Sequence, residues 1–297
     1  MANKINFSIL IPHKNRPELL KRAIHSVPQR DDVQIIVVDD NSDPQIVDFN
    51  QFPCINEPHV EVYFTKEGKG AGYARNIGLQ YVRGKWLLCL DSDDYFTKEI
   101  SSLMNLVVER EEDVIFFKTI AVSEPSMKSS SRGALENEML DYALDSGDYS
   151  ERMILSVPTM AFYRMDFMHE HNICFHEVRW GNDVWFAAQV SFYAERYWAL
   201  SIRGYCLTES DNSLVKCSSV ESILCRLEEE SMATQLLRKR FGKVESLYFW
   251  LFDRWKKLWK KSCVKAICVI PKVIYRGGNK MLKYYYNFFG GVCRHVY

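Results

Sequence analysis

The segment Lys85–Phe96, KWLLCLDSDDYF, constrains the fold of this chain more than any other. Trp86–Leu90 is an unbroken apolar run, which is typical of a strand buried on both faces of a parallel sheet. Three carboxylates follow within four residues, at Asp91, Asp93 and Asp94. Because a strand cannot bury that much negative charge without partners, we expect the aspartates at its carboxyl end, where open parallel sheets bind ligands.

Clustered carboxylates repel one another, and a hard divalent cation relieves that repulsion. Mg²⁺ and Mn²⁺ are commonly held by one or two carboxylates, with phosphate oxygens and water completing the shell. Asp91 and Asp93 therefore predict a metal–diphosphate site. The alternative is a solvated turn that caps the next helix, with Asp94 near the helix N-terminus. This segment alone does not separate the two.

Strand and helix patterns alternate before this segment, which predicts a doubly wound parallel sheet. The expected strands are Phe7–Ile11, Gln34–Val38 and Val60–Phe64, and a helix is expected over Tyr73–Val82. A polar cluster follows each strand, and the four clusters are His13-Lys14-Asn15, Asp39-Asp40, Lys69 with its neighbouring glycines, and Asp91-Ser92-Asp93. Since the carboxyl ends of parallel strands share one sheet edge, these clusters should converge on one crevice, which favours a ligand site.

The loops that line this crevice exclude two nucleotide-binding classes. The first loop lacks Gly-x-Gly-x-x-Gly and the glycine loop at 68–72 lacks Gly-Lys-Ser/Thr, so neither a dinucleotide fold nor a P-loop is expected. The glycines would let backbone amides approach an anion, and Arg75 is either a phosphate clamp or a surface arginine. Asp39 and Asp40 either accept hydrogen bonds from a base or ribose, or form a turn.

Three ordered blocks resemble the N-terminal signature of family 2 glycosyltransferases: ILIPHKNRPELLKRAIHSV, IIVVDDNSDP and GAGYARNIGLQYVRGKWLLCLDSDDYF. The resemblance covers about the first hundred residues, and three linked blocks are far more specific than one. It implies the GT-A fold, an α/β architecture with a Rossmann-like, mostly parallel sheet flanked by helices. It also implies a nucleotide-sugar donor, which we expect to be a UDP-sugar.

The resemblance assigns roles to particular residues. It makes Asp91-Ser92-Asp93 the DxD motif, with Asp93 the direct ligand of Mn²⁺ or Mg²⁺ and Asp91 near the metal or ribose. It assigns the Asp39-Asp40 pair to the nucleobase, with Asp40 the better candidate. The residues expected to bind the nucleotide-sugar are Pro12, Asp39, Asp40, Lys69, Arg75, Asp91 and Ser92.

The second half of the chain contains the expected catalytic base. Asp183 falls in the first turn of a predicted helix, where a capping role is the ordinary explanation. In the resembled family this position carries the base, usually in a Glu-Asp pair, whereas this chain has Asn182-Asp183. The sequence therefore does not show which residue makes the supporting contact of the missing glutamate, and Glu177 is a candidate for it. Trp180 and Asn182 are expected to bind the acceptor, although Trp180 is equally suited to packing at the helix entry.

Other elements of this half are expected from their patterns. The predicted strands are Val114–Phe117 and Thr159–Tyr163, a short helix is expected over Arg164–Asn172, and Ser123–Gly133 is expected to be a polar loop. We expect a glycosyltransferase domain over residues 1–217, with a donor half at about 1–96 and an acceptor half at about 97–217. Residues 218–297 would form a helical, basic C-terminal extension.

The charge of the extension suggests a location. Residues 240–297 contain 13 Lys/Arg and 2 Asp/Glu, whereas the rest of the chain contains 25 and 36. A helix over Val244–Ser262 would have an apolar face that includes Tyr248, Leu251 and Trp255 and a lysine face opposite, which is the composition of an interfacial helix. The alternative is a helix that packs on the catalytic domain. Because no nucleic-acid motif accompanies the basic and aromatic residues, we expect no nucleic-acid partner.

Composition fits a cytosolic protein attached peripherally to the inner face of the cell membrane. Nine cysteines without a Cys-x-x-Cys pair predict reduced thiols. The apolar run near the N-terminus is too short for a signal peptide, and no uncharged run approaches the length of a spanning helix.

The expected activity is inverting, metal-dependent transfer of a hexosyl or N-acetylhexosaminyl group to a glycan or lipid-linked acceptor. A nucleotidyltransferase is the main alternative, but the loop after the first strand lacks the glycines that it would need. A haloacid-dehalogenase-type phosphatase would need Thr or Val where this chain has Tyr95. A catalytically inactive sugar-binding or membrane-tethering module is the non-enzyme alternative.

Overall fold

Four parallel strands form the first half of the sheet. In the computed structural model, which describes residues 4–149, 157–209, 217–242, 245–277, 281, 284 and 285, they lie in the order β3-β2-β1-β4. Their bounds are β1 (Phe7–His13), β2 (Val33–Asp39), β3 (Val60–Phe64) and β4 (Trp86–Cys89). Every residue of β1, β2 and β4 is buried, as their apolar runs predict. The parallel arrangement is confirmed, and β1 continues two residues beyond the predicted end at Ile11.

Two helices cover opposite faces of these strands. α1 (Pro17–His25) buries Leu20, Ala23 and Ile24 against the side that presents Ile9 and Ile11. α2 (Ala71–Leu79) lies on the other side, where Ala74 packs with Leu10 and Val38. The alternation of side chains along β1 therefore supplies both cores.

The second half of the sheet is mixed. β5 (Tyr95–Phe96), β6 (Val114–Ser123), β8 (Ala161–Arg164) and β9 (Tyr197–Glu209) extend the sheet in the order β4-β8-β6-β9-β5, and β7 (Lys128–Ser129) pairs with β6. β8 is antiparallel to both of its neighbours, whereas β9 is parallel to β6. β6 runs well past the predicted end at Phe117, because a register irregularity near Lys118 lets it continue beside β9. Within the segment Ser123–Gly133, expected to be a loop, Ser123 ends β6 and Lys128–Ser129 forms β7.

Helices α3 (Ile100–Val107), α4 (Ala134–Ser146), α5 (Met165–Glu170) and α6 (Asn182–Tyr193) complete this part of the chain. α5 and α6 match helices that the sequence predicts. The C-terminal region contains α7 (Val220–Phe241), α8 (Glu245–Lys261) and α9 (Cys263–Gly277). Its helical character is thus as expected, and none of the described helices is long and apolar enough to cross a membrane.

The apolar face of α8 is buried within the protein. Tyr248, Leu251, Trp255 and Leu258 pack with Ile223 and Leu227 of α7 and with Ala266 and Val273 of α9. The Trp255 indole Nε1–H donates a hydrogen bond to the Ala266 carbonyl at 3.0 Å. The expectation that this face contacts lipid is therefore wrong, because neighbouring helices already remove it from water. α7 in turn packs on α6 through Ala188, Ala233 and Leu237, so the C-terminal helices are joined to the part of the chain that contains the sheet.

Candidate active site

Three carboxylates converge just beyond the end of β4. Oxygen atoms of Asp91, Asp93 and Asp94 lie within 4.8 Å of one another. The Asp91 and Asp93 side chains are each about one-third exposed, at 32% and 35%, whereas Asp94 is buried. Burial and the charge of Asp91 raise the pKa of Asp93. The donor set therefore consists of hard oxygen atoms in mutual repulsion, which is the chemistry that a divalent cation relieves.

Asp94 is fixed by strand β9 and does not cap a helix. Its Oδ1 accepts hydrogen bonds from the Thr208 amide at 2.6 Å and the Thr208 hydroxyl at 3.2 Å. Its Oδ2 accepts one from the Tyr205 hydroxyl at 2.9 Å. Burial, followed by repulsion from Asp91 and Asp93, raises the pKa of Asp94 to about 7. Both Asp94 oxygens are thus occupied by protein donors, which leaves Asp91 and Asp93 as the more accessible pair.

Arginines that the sequence analysis did not single out surround the acidic cluster. Arg16 forms an ion pair with Asp93, and Arg22 donates to the Asp93 carbonyl while pairing with Glu124. The charge of Arg132 opposes the upward shift of the Asp93 pKa. Arg16 directly follows the polar block after β1, and that adjacency was the available sequence signal. Arg22 and Arg132 reach the site only through the tertiary fold.

Arg75 connects the acidic cluster to the start of α6. Its guanidinium donates from Nη2 to Asp91 Oδ1 at 2.6 Å and from Nη1 to Asn182 Oδ1 at 2.9 Å. The side chain is buried, and its guanidinium carbon lies 5.1 Å from the centre of the Phe175 ring. Burial opposes the charge, but Asp91 and, to a smaller degree, Asp183 raise the pKa of Arg75. Arg75 is therefore not a surface residue, and its contact with a phosphate stays a prediction.

Gly72 permits the segment before α6 to approach α2 closely. A Cβ atom at this position would lie 2.1 Å from the His176 carbonyl oxygen and 2.9 Å from Asn182 Cβ. The neighbouring Gly70, which caps α2 at a φ of 99°, donates its amide to Asp40 Oδ2 at 2.7 Å. The Gly70 amide is therefore taken by Asp40, while the expectation that the other amides of this loop approach an anion stays a prediction. One glycine serves close packing and the other serves the Asp40 loop.

Asp183 lies in the first turn of α6, as predicted, and its side chain is exposed. The helix begins after Gly181, whose φ of 79° is a conformation that favours glycine. Glu177, the candidate substitute for the missing family glutamate, is exposed and accepts a hydrogen bond from Asn76 at 3.4 Å. Asn182, which stands where the family usually has its glutamate, accepts a hydrogen bond from Arg75 at 2.9 Å.

The Asp39-Asp40 pair anchors the loop that follows β2. Asp39 is fully buried and accepts hydrogen bonds from His13 Nδ1 at 2.7 Å and from the Ser42 amide at 2.9 Å. Burial opposes its ionisation, but the bonds from His13 and Ser42 outweigh burial and lower the pKa of Asp39. Asp40, 2% exposed, accepts from Gly70 and lies 3.7 Å from Lys14 Nζ. Their roles in base recognition stay predictions.

The remaining predicted residues occupy different settings. Pro12 is buried in β1 opposite Val38, and Ser92 is buried between the aspartates. Lys69 places its ammonium 4.7 Å from the centre of the Tyr73 ring. Trp180 is half-buried, and its indole Nε1–H is enclosed with no hydrogen-bond partner among the described residues. The part of Trp180 in binding the acceptor stays a prediction.

Comparison with known proteins identifies the family of this chain. The family model described as Glycosyl transferase family 2 matches residues 8–171, just over half of the chain. A poly(ribitol-phosphate) β-N-acetylglucosaminyltransferase, TarS of Staphylococcus aureus, is 24% identical over 208 residues, which are 68% of this chain and 35% of TarS. A poly(ribitol-phosphate) β-glucosyltransferase of Bacillus spizizenii is 24% identical over 58% of this chain and 27% of its own length. The chain thus spans about a third of the length of these relatives.

Solved structures agree with the fold. The crystal structure of S. aureus TarS residues 1–349 in complex with UDP-GlcNAc superposes with a TM-score of 0.67 at 18% identity, covering 93% of this chain and 83% of the other. The same fragment in complex with UDP gives a TM-score of 0.57 at 19% identity over 92% and 87% of the two chains. At these identities the likeness establishes the α/β GT-A architecture.

Proposed function

The chain belongs to glycosyl transferase family 2, and from that membership we propose that it catalyses inverting transfer of a hexosyl or N-acetylhexosaminyl group from a UDP-sugar to a hydroxyl of a glycan or lipid-linked acceptor. The observation that supports this most directly is the Asp91–Arg75–Asn182 connection. It joins the acidic cluster after β4 to the first turn of α6, where Asp183 lies. The donor class is supported by the UDP-GlcNAc and UDP complexes of the TarS fragment.

In this proposal Asp183 is the general base. The acceptor hydroxyl oxygen forms a bond to the anomeric carbon, and its proton passes to the Asp183 carboxylate. The bond from the anomeric carbon to the diphosphate breaks, and its electron pair leaves with the UDP oxygen. Attack from the side opposite the leaving group inverts the anomeric configuration. Trp180 and Asn182 would line the acceptor side of this reaction.

Arg75 and Arg16 would organise the diphosphate side. Arg75 holds Asp91 and Asn182 in one network, and Arg16 pairs with Asp93. A Mn²⁺ or Mg²⁺ ion fits the hard oxygen donors of Asp91 and Asp93, and when bound it would stabilise negative charge on the leaving diphosphate. Base and donor contacts are assigned to Pro12, Asp39, Asp40, Lys69, Arg75, Asp91 and Ser92.

A cytoplasmic setting at the inner face of the cell membrane is part of this proposal. It is supported by the charge asymmetry of the chain, because the acidic body and the net +11 segment 240–297 would respond oppositely to an anionic leaflet. A lipid-linked acceptor would be presented at such a surface.

Donor turnover across UDP-sugars tests the reaction. With the purified full chain and Mn²⁺, we expect release of UDP from at least one of UDP-GlcNAc and UDP-glucose, and loss of release in EDTA that Mn²⁺ or Mg²⁺ restores. Asp93→Asn should fold normally and lose activity. Full activity in EDTA would remove the metal from the proposal.

The base assignment needs a matched pair of variants. Asp183→Asn is nearly isosteric, so it should keep UDP affinity by calorimetry yet reduce transfer by at least ~10²-fold, the typical loss without a general base. Glu177→Gln is the control, because it makes the same change at an exposed carboxylate of the neighbouring segment, and it should keep wild-type transfer. The reverse ranking would assign proton abstraction to Glu177.

A further inference from the structure

Helix α9 is apolar on two opposite faces. Its inner face is buried at Ala266, Val273 and Gly277, against α7 and α8. Its outer face consists of exposed apolar residues at helical spacing, namely Val264, Ile267, Cys268, Pro271 and Tyr275. The exposed fractions are 68% for Val264, 51% for Ile267 and 77% for Tyr275. At 100° per residue this outer stripe occupies an arc of roughly 100°.

Exposed apolar side chains in one contiguous stripe mark an interaction surface more often than scattered ones do. Separately, α8 exposes Phe249 (60%) and Trp250 (39%). The buried faces of α8 and α9, which together form a helical hairpin over residues 245–277, already pack against each other and against α7. Core packing therefore does not account for the outer stripe.

The charges around the stripe are almost all positive. Residues 245–277 contain eight Lys/Arg and two Asp/Glu. Lys260, Lys261 and Lys265 are exposed at the turn between α8 and α9. Lys272 borders the stripe and is 51% exposed, although it pairs with Glu228. An apolar stripe edged by lysines is complementary to a surface that is apolar within and anionic outside.

We propose that the outer face of α9 is the surface by which this protein lies on an anionic lipid leaflet. The inference rests on the membrane setting in the proposed function, and it assigns the contact with the membrane to one face of α9. Residues 1–239 carry an excess of 11 negative charges, so an anionic leaflet would turn the body away and the hairpin towards the lipid. The lysines would contact headgroups while Ile267 and Tyr275 enter the interfacial layer.

Charge also distinguishes lipid from other occupants of this face. A second copy of the chain would bring two net-positive hairpins together, which like charges disfavour. Of residues 278–297, the described Met281 and Tyr285 pack in the core beside Trp255, Ala266 and Val273, which is the inner side of α9. An anionic partner with an apolar interior would both cover the apolar stripe and attract the lysines around it.

Vesicle co-sedimentation with matched variants tests the proposal. The full chain is mixed with phosphatidylcholine vesicles with and without about one-third phosphatidylglycerol, which gives the vesicle surface the negative potential that attracts lysines. The double variant Ile267→Ser/Tyr275→Ser removes two residues of the stripe. The control Ile46→Ser/Tyr142→Ser removes the same residue types at exposed positions of the body, where Ile46 is 51% and Tyr142 is 58% exposed.

We expect the wild type and the control to bind anionic vesicles and to bind neutral ones poorly, and the stripe variant to bind at least ~10-fold more weakly. Its thermal midpoint and UDP release should match those of the wild type, which separates this result from a failure of the proposed reaction. Unchanged vesicle binding by the stripe variant would overturn the proposal. It would also be overturned if the wild type ignored anionic vesicles but formed dimers, by light scattering, that the stripe variant loses.

Discussion

Replacing Arg75 by lysine should separate the two halves of the active site while keeping a positive charge in place. Arg75 spans Asp91 and Asn182 with two different nitrogens, at 2.6 Å and 2.9 Å. A lysine ammonium is a point charge on a flexible stem and cannot reproduce that planar fork. Since hydrogen bonds to charged groups contribute ~1.5–3 kcal/mol and neutral ones ~1 kcal/mol, loss of one bond and weakening of the other should cost ~2 kcal/mol. Asp91 is one-third exposed, so water recovers part of that cost.

A double-mutant cycle measures this connection. A loss of ~2 kcal/mol in transition-state stabilisation corresponds to a ~30-fold decrease in kcat/KM for transfer. Arg83→Lys is the control, because Arg83 makes an exposed ion pair with Glu61 and should tolerate the change. Asn182→Ala combined with Arg75→Lys should cost less than the sum of the single variants, since both remove the same bond. Strict additivity, or wild-type transfer by Arg75→Lys, would refute the proposed coupling.

Three further predictions address packing and charge. Gly72→Ala should lower transfer by ~10²-fold, measured as kcat, because its Cβ would force the His176 carbonyl away by more than an ångström; wild-type turnover would mean that the segment before α6 adapts freely. Burial opposes ionisation of Asp113, but donors that include the Glu195 and Arg196 amides outweigh burial and lower its pKa. Asp113→Asn should therefore cost ~2 kcal/mol of unfolding free energy in urea above about pH 4, and progressively less as the pH falls through the depressed pKa; an equal cost at pH 7 and pH 3 would contradict this. Trp255→Ala should lower the free energy of unfolding by ~3–5 kcal/mol, because it empties a fully buried site in the α8 core; a loss below ~1 kcal/mol would mean that the C-terminal helices contribute little to the folded body.

The first half of the fold was predictable because each strand carries its own signal. Every apolar run there lies inside a parallel sheet and is followed by polar residues. Because ligands bind at the carboxyl ends of parallel strands, these local patterns together locate the site. Strand β9 carries no such signal, since the burial along its thirteen residues alternates irregularly as it crosses from the β6 edge to β5. The bond between Asp94 and Thr208 joins positions 114 residues apart, and no local pattern contains that information.

The role of Arg75 shows the same limit at the level of one side chain. Arg75 lies in α2, within the helix that the sequence predicts, and its guanidinium reaches Asp91 of the acidic cluster. Its partner Asn182 lies 107 residues away, and the approach of the two segments depends on the missing Cβ of Gly72. The unusual Asn182-Asp183 pair was visible in the sequence, but the hydrogen bond between Asn182 and Arg75 was not.

The C-terminal helices show why periodicity does not identify what covers an apolar face. The stripe of α8 has the composition of a lipid-facing helix, and α7 and α9 bury it instead. A helix that packs between neighbours and a helix that lies on a membrane present the same period, because both remove one face from water. The distinguishing feature is a second apolar face, which packing against one side leaves unused. Among the described helices of the hairpin, α9 has this second apolar face. In the sequence, its apolar run Ala266–Pro271 indicates only that the segment is too short to span a bilayer. The exposed stripe of α9 indicates a separate partner only because the structure shows that Ala266 and Val273, on the opposite face, are already buried against neighbouring helices.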